Sequence, residues 1–172
     1  MQVVVDASVL IHLSRIGRFH LIKLLFDNAV ISPNVFEEVV EKGWGLPGAS
    51  ETEKAVDDGW IKIVGVINKW KARELARKFK IQTANAETVQ LALELKPEFV
   101  LADEEEIRRL ADEAGIKIRG CLGILIDAVR NRFISVSEAK TGVEELRVSG
   151  FRMSVEILKN FFTVLEGLEE RR

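Results

Sequence analysis

The chain opens on three consecutive apolar residues, Val3-Val4-Val5, stopped by Asp6. A short apolar run bounded by a polar residue reads as a strand buried on both faces. The same pattern returns at 28–31, at Phe99-Val100-Leu101-Ala102 before Asp103, and in the brief Ile116-Lys117-Ile118. Residues 60–66 alternate as a half-buried strand would. Between these runs the apolar positions take helical spacing. Residues 9–26 predict helix broken near Gly17, and residues 33–42 predict a helix entered through Ser32-Pro33-Asn34 and stopped by Gly43. Ser50 and Glu53 have the spacing of a capping box, opening a short helix to about residue 58. Residues 69–80 bring Ala72, Leu75, Ala76 and Phe79 to one face, and 84–95 is a further helix. In 104–114, Ile107, Leu110, Ala111 and Ala114 fall at i, i+3, i+4 and i+7. Helices at 122–131, 137–148 and 154–168 complete the pattern, the last carrying the stripe Leu158, Phe161, Phe162, Leu165, Leu168.

Short apolar strands alternating with helices predict βαβ units and an α/β fold, with a mostly parallel central sheet of four to five short strands flanked by helices. The one Gly/Pro-rich loop, residues 43–50, is too short to separate domains. A single domain over 1–172 is expected, its C-terminal helices 137–168 packed on it or used in an interface.

Composition narrows the function classes. The 25 basic and 27 acidic residues give a net charge of −2, so nucleic-acid binding is not advertised by the total and would depend on local patches. A single cysteine, Cys121, excludes an internal disulfide and a multi-cysteine zinc site, and two histidines cannot build a histidine-rich one. No apolar run approaches the ~20 residues of a membrane-spanning helix, and the N-terminus lacks the basic region of a signal peptide. A cytoplasmic protein is expected. The absence of Tyr and the plentiful Glu, Lys and Arg match a bias of heat-adapted proteins.

The candidate chemistry sits at strand ends. In open parallel sheets the functional crevice lies outside the carboxyl ends of the strands, where Asp6 and Asp103 fall. Two carboxylates brought together either share a proton or bind a cation, and hard oxygen donors suit Mg²⁺ or Mn²⁺. Each aspartate would equally serve as a helix N-cap. Glu37 and Glu38 both flank the Val35/Val39 stripe and are not separated by periodicity. Glu87 and the run Glu104-Glu105-Glu106 lie in first turns, where acids also complement the helix dipole. In 69–80, Lys69, Arg73, Arg77 and Lys80 share a face that would serve as a phosphate-binding strip or simply be solvated. Trp44 and Trp60 are expected in the core or an interface, and His12 in the packing of the first helix.

Five motifs in order resemble the PIN-domain family, in particular its archaeal and bacterial VapC-like branch. Val4-Val5-Asp6-Ala7-Ser8-Val9-Leu10-Ile11 resembles the family's opening strand and D-[TA]-S-x-L-I. Ile31-Ser32-Pro33-Asn34-Val35-Phe36-Glu37-Glu38 resembles the motif ending V-x-x-E, and selects Glu38 over Glu37. Ala84-Asn85-Ala86-Glu87-Thr88-Val89 resembles G-E-A-E-A-I. Leu101-Ala102-Asp103-Glu104 with Arg108 resembles L-x-D-D-x-x-A-R, and Gly120-Cys121-Leu122-Gly123 resembles G-T-x-G. The chain departs at Asn85, at Glu104 for the second aspartate, and at Cys121 for a hydroxyl residue, where a thiol is a weak donor and acceptor.

The resemblance implies a PIN-like three-layer fold and a metal-dependent ribonuclease. It implies Asp6, Glu38, Glu87 and Asp103 as catalytic carboxylates. Asp6, Glu87 and Asp103 would be the ligands of Mg²⁺ or Mn²⁺, with Ser8, Glu104 and Cys121 supporting them. Lys69, Arg73, Arg77, Lys80 and Arg108 are the candidates for holding RNA. The implied partners are an RNA substrate, a small antitoxin protein and a second copy of the chain. A binding module on the same fold is the alternative.

Overall fold

The computed structural model describes residues 1–170; Arg171 and Arg172, within the expected domain span of 1–172, lie outside the described residues. Five strands, β1 (Gln2–Val5), β2 (Asn28–Ile31), β3 (Ile61–Ile63), β4 (Phe99–Leu101) and β5 (Ile118–Arg119), form one sheet in the order β3-β2-β1-β4-β5. Every pairing is parallel. Parallel neighbours need crossover connections, and here helices supply them.

Alternation along each strand divides the core in two. Val3, Val5, Ala29, Ile31, Ile61 and Leu101 face one side. They are covered by α1 (Ala7–Arg15), α2 (His20–Leu25), α3 (Pro33–Phe36), α4 (Ala49–Asp57), α8 (Cys121–Arg130), α9 (Val136–Val148) and α10 (Val155–Glu169). Val4, Val30 and Val100 face the other side, under α5 (Lys69–Phe79), α6 (Thr83–Leu95) and α7 (Glu105–Glu113). The chain is therefore an α/β protein of three layers. None of its described helices is long and apolar enough to cross a membrane.

Several boundaries differ from the expectation for local reasons. The break expected near Gly17 is present, with Gly17 at φ +64°, but the two helices begin and end elsewhere, at Ala7–Arg15 and His20–Leu25. The strand expected over 60–66 is only three residues long, since the chain leaves the sheet once β3 has paired with β2 through Ile63. The capping box expected at Ser50/Glu53 does not form: α4 begins at Ala49, where Glu51 accepts the Gly48 N–H at 3.1 Å and Gly48 has no side chain to return the bond. Trp44 is 75% exposed on its loop rather than packed in a core. Trp60 does pack, with Phe19 5.7 Å away in an edge-on contact.

The C-terminal helices are part of the main core. Phe161 and Leu165 are buried in it, with Leu158, Phe162 and Leu168 packed alongside. On the opposite face, α5 is pinned to α6 by Glu94. Its carboxylate accepts the Ile67 and Asn68 N–H groups at 2.8 and 3.0 Å, and the Gln90 amide at 2.9 Å.

Phe161→Ala is expected to cost about 3–5 kcal/mol of unfolding free energy, the usual penalty for emptying a buried aromatic site. Urea denaturation measures this. A loss under about 1 kcal/mol would mean that α10 is not integral to the core.

Candidate active site

The order of the sheet fixes where a site can form. From β1 the chain steps outward to β2 and β3, then crosses to β4 on the other side of β1. The direction of winding thus reverses between β1 and β4, where parallel sheets open a crevice at their carboxyl ends. Val5 pairs with Leu101, and the Asp6 N–H continues the ladder to the Leu101 carbonyl at 2.9 Å. Asp6 and Asp103 therefore emerge on adjacent strands.

Ser8 joins them. Its hydroxyl donates to Asp6 Oδ2 at 2.6 Å and accepts the Asp103 N–H at 3.1 Å. The Ser8 N–H also donates to Asp6 Oδ2, at 3.1 Å, so Asp6 is at once the N-cap of α1 and a wall of the crevice.

The crevice encloses about 400 Å³. Asp6, Ala7, Ser8, Ile11, His12 and Arg15 form one wall, along the length of α1 from its N-cap. Gln82 and Asn85 come from the start of α6, Glu104, Glu105 and Glu106 from the approach to α7, and Glu38 from the segment after α3. That segment is wound wide. Lys42 donates to the carbonyl of Glu37, five residues back, at 2.8 Å, making a π turn over Glu37–Glu41. Such turns add a residue to a helix and re-aim its side chains. Glu38 faces the crevice while Glu37 pairs with Lys42 at 2.9 Å, which separates two acids that periodicity left equivalent. The chain exits past the Val39 carbonyl, and a Cβ on Gly43 would come within 2.2 Å of that oxygen.

Asp103 occupies a different position from Asp6. Its side chain is only 5% exposed and is not among the crevice-lining residues. Oδ2 lies 3.0 Å from His12 Nδ1, Oδ1 accepts the Cys121 N–H at 2.9 Å, and Arg108 Nη2 lies 3.9 Å from Oδ1. His12 thus does more than pack α1: its ring meets Phe151 edge-on at 4.9 Å and its nitrogen binds the aspartate. No local pattern in the sequence marks it. His12, Asp103 and Cys121 offer three ligand atoms within 4.8 Å of one another, a cluster that could hold a metal ion.

Glu87 has a different partner. It is not among the crevice-lining residues, and its carboxylate accepts the Asn34 side-chain amide, tying α6 to α3. The third motif reaches the crevice through Asn85, two residues earlier and on the opposite side of the helix. Asn85 donates to Glu106 at 2.7 Å. Lys69, Arg73, Arg77 and Lys80 are exposed along α5, outside the crevice.

The electrostatics follow from this layout. Burial raises Asp6 above its ordinary 3.8 and the charge of Glu38 adds to it, against the bonds from Ser8. Burial likewise raises Glu104, and the charges of Asp6 and Glu106 push the same way. Asp103 moves oppositely: burial pushes it up, but the hydrogen bonds from His12 and Cys121 outweigh burial and hold it below 3.8. Burial and Asp103 push the Cys121 thiol well above its ordinary value, so it stays protonated and can only donate weakly. Carboxylates that raise one another in a crevice form a set of hard oxygen donors suited to a divalent cation.

A family model described as a PIN domain matches residues 2–166. The chain belongs to the PIN-domain family. Its three layers and five-stranded parallel sheet are those of a PIN-like fold. PIN domains are generally nucleases and typically use divalent metals. No curated protein matches the chain.

Two substitutions test this PIN-domain site. Asp6 is raised in the folded state, so the unfolded chain releases this proton first, and the wild type loses stability as pH rises from 3.8 through the raised value. Asp6→Asn keeps an oxygen for Ser8 and removes that loss. Measured by thermal melting in EDTA, the variant should melt higher than wild type at neutral pH, and the advantage should vanish below 3.8. A variant that melts lower at neutral pH would contradict the assigned electrostatics. In Gly120→Ala, the new Cβ would meet Asp103 Oδ1 at 2.6 Å and Arg108 Nη2 at 2.2 Å. Arg108 can swing away, but the Asp103 carboxylate is held. A loss of about 1–3 kcal/mol is expected on urea denaturation.

Proposed function

We propose that this PIN domain is a metal-dependent ribonuclease, hydrolysing phosphodiester bonds of single-stranded or structured RNA in the acidic crevice. The observation that carries the reading is Asp6. It is an almost buried aspartate at the sheet's switch point, destabilised as an anion by burial and by Glu38. A hard cation there would offset both penalties, and the donor set is one of carboxylate oxygens.

Asp6, Glu38 and Glu104 would hold the ion from the crevice walls, with Asp103 completing the set from behind them. Mg²⁺ or Mn²⁺ bound there supplies Lewis acidity, making water easier to deprotonate and offsetting charge on the phosphate. Ser8 fixes the Asp6 carboxylate and ties it to the backbone of Asp103. His12 and the Cys121 N–H orient the Asp103 carboxylate. Glu38, the more open acid, orients the attacking water and accepts its proton on a carboxylate oxygen. Arg15, the cation of the crevice lining, pairs with the phosphate. Glu87, bonded to Asn34 where α6 meets α3, would be a further ligand contributed by α6.

The five ordered motifs support a VapC-like ribonuclease within the family, for which a small antitoxin and a second copy of the chain would be protein partners. A second reading, a catalytically weak PIN module that binds RNA or protein, is favoured by Asn85, an amide where the family motif has an acid.

Incubating the protein with a panel of single-stranded RNAs in Mn²⁺, Mg²⁺ or EDTA tests the proposal. Cleavage is expected with metal and not in EDTA. It should fall about 100-fold or more in Asp6→Asn and in Glu38→Gln, the scale on which positioned acid–base groups contribute. Wild type that binds RNA but cuts nothing with metal would move the weight to the binding module. Cutting that survives Asp6→Asn would refute the site.

A further inference from the structure

The molecule separates its charges. Residues 69–80 hold six of its 25 basic residues and one of its 27 acidic residues. Lys69, Lys71, Arg73, Arg77, Lys78 and Lys80 are all exposed, and among the described residues none lies within 4.0 Å of a carboxylate oxygen. Cations elsewhere in the fold do pair, as Arg119 does with Asp127 at 3.0 Å and Arg147 with Glu144 at 3.1 Å. Trp70 stands among the free cations, 60% exposed, with Lys71 Nζ 5.7 Å from its ring.

This helix is held rigidly and leads to the crevice. Glu94 clamps its start, while Arg109 of α7 donates to the Phe79 carbonyl at 3.3 Å near its end. Gln82, two residues beyond Lys80, is already part of the crevice wall. The helix is about 17 Å long at 1.5 Å per residue. That matches about five phosphates of a stacked strand at 3.4 Å spacing.

We infer that α5 is a docking track for single-stranded nucleic acid, its cations holding successive phosphates and Trp70 stacking on a base, with the strand entering the crevice at the Lys80–Gln82 end. The inference deepens the proposed nuclease function and rests on it for the strand's destination, but not for binding. An acidic crevice repels a polyanion, so a cationic surface beside it gives the substrate its affinity.

The test is fluorescence anisotropy of a labelled 12-nucleotide single-stranded RNA in EDTA, titrated over a series of NaCl concentrations. Each phosphate neutralised on a single strand contributes about −0.7 to the slope of log affinity against log salt. The triple variant Lys69→Gln, Arg73→Gln, Arg77→Gln should flatten that slope by about 2 and weaken binding at least tenfold at low salt. Trp70→Ala should weaken binding about tenfold with the slope unchanged. A triple variant on the other side of the molecule, Arg130→Gln, Lys140→Gln, Arg147→Gln, should bind as wild type does. Circular dichroism confirms that each variant is folded.

The inference fails if the α5 variant keeps the wild-type slope and affinity, if wild type does not bind RNA, or if a polyglutamate peptide displaces the RNA more effectively than unlabelled RNA does. The last result would assign α5 to an acidic protein partner. The two proposals fail separately. Metal-dependent cleavage with an unchanged α5 variant overturns the track alone. Salt-sensitive binding through α5 without cleavage overturns the nuclease reading alone.

Discussion

The parallel pairing of β1 with β4 is the constraint on which the rest depends. Because Val5 lies beside Leu101, the two strands deliver their following residues to one place, and the chain's reversal of winding keeps helices from covering it. Ser8 then turns proximity into geometry. One hydroxyl donates to the side chain of Asp6 and accepts from the backbone of Asp103, so neither residue can shift without disturbing the other. A hydroxyl is suited to this because it donates and accepts at once.

The two aspartates nevertheless have opposite environments. Asp103 is satisfied by protein donors and held as an anion, while Asp6 sits with other acids and pays for its charge. A pair of carboxylates pushed apart in this way commonly divides its labour, one structural and one reactive. The burden on Asp6 is one that a cation relieves and that the polypeptide alone does not. The unpaired cations of α5 lie outside the crevice, and Arg15 at its wall is not among the groups that offset the charge of Asp6.

The strands and their terminal acids were legible because a buried parallel strand writes an uninterrupted apolar run, and the residue that stops it is visible at once. Resemblance, not periodicity, singles out Glu38, since the π turn that aims it has no hydrophobic signature. Asn85 and Glu87 differ by two helical positions, about 200° of rotation. Which one faces the crevice depends on how α6 rests on the sheet, a tertiary fact absent from the local pattern. The roles of Glu105 and Glu106 were hidden for the same reason: acids in a first turn look alike whether they serve the helix dipole or a cleft. His12 was invisible because its partner is 91 residues away.

The wide turn at Glu37–Glu41 has a consequence for how this chain can diverge. The heading of Glu38 depends on residue count as well as residue type, because losing or gaining one residue rotates everything downstream by about 100°. Exchange of one side chain for another along this stretch leaves the frame intact, as long as Gly43 keeps its clearance over Val39. A change in length would bring a neighbouring side chain to the cleft and send the acid into solvent. Between Ser32 and Gly43, descendants of this sequence are therefore bound to a fixed length, even where exposed positions other than Glu38 change their spelling.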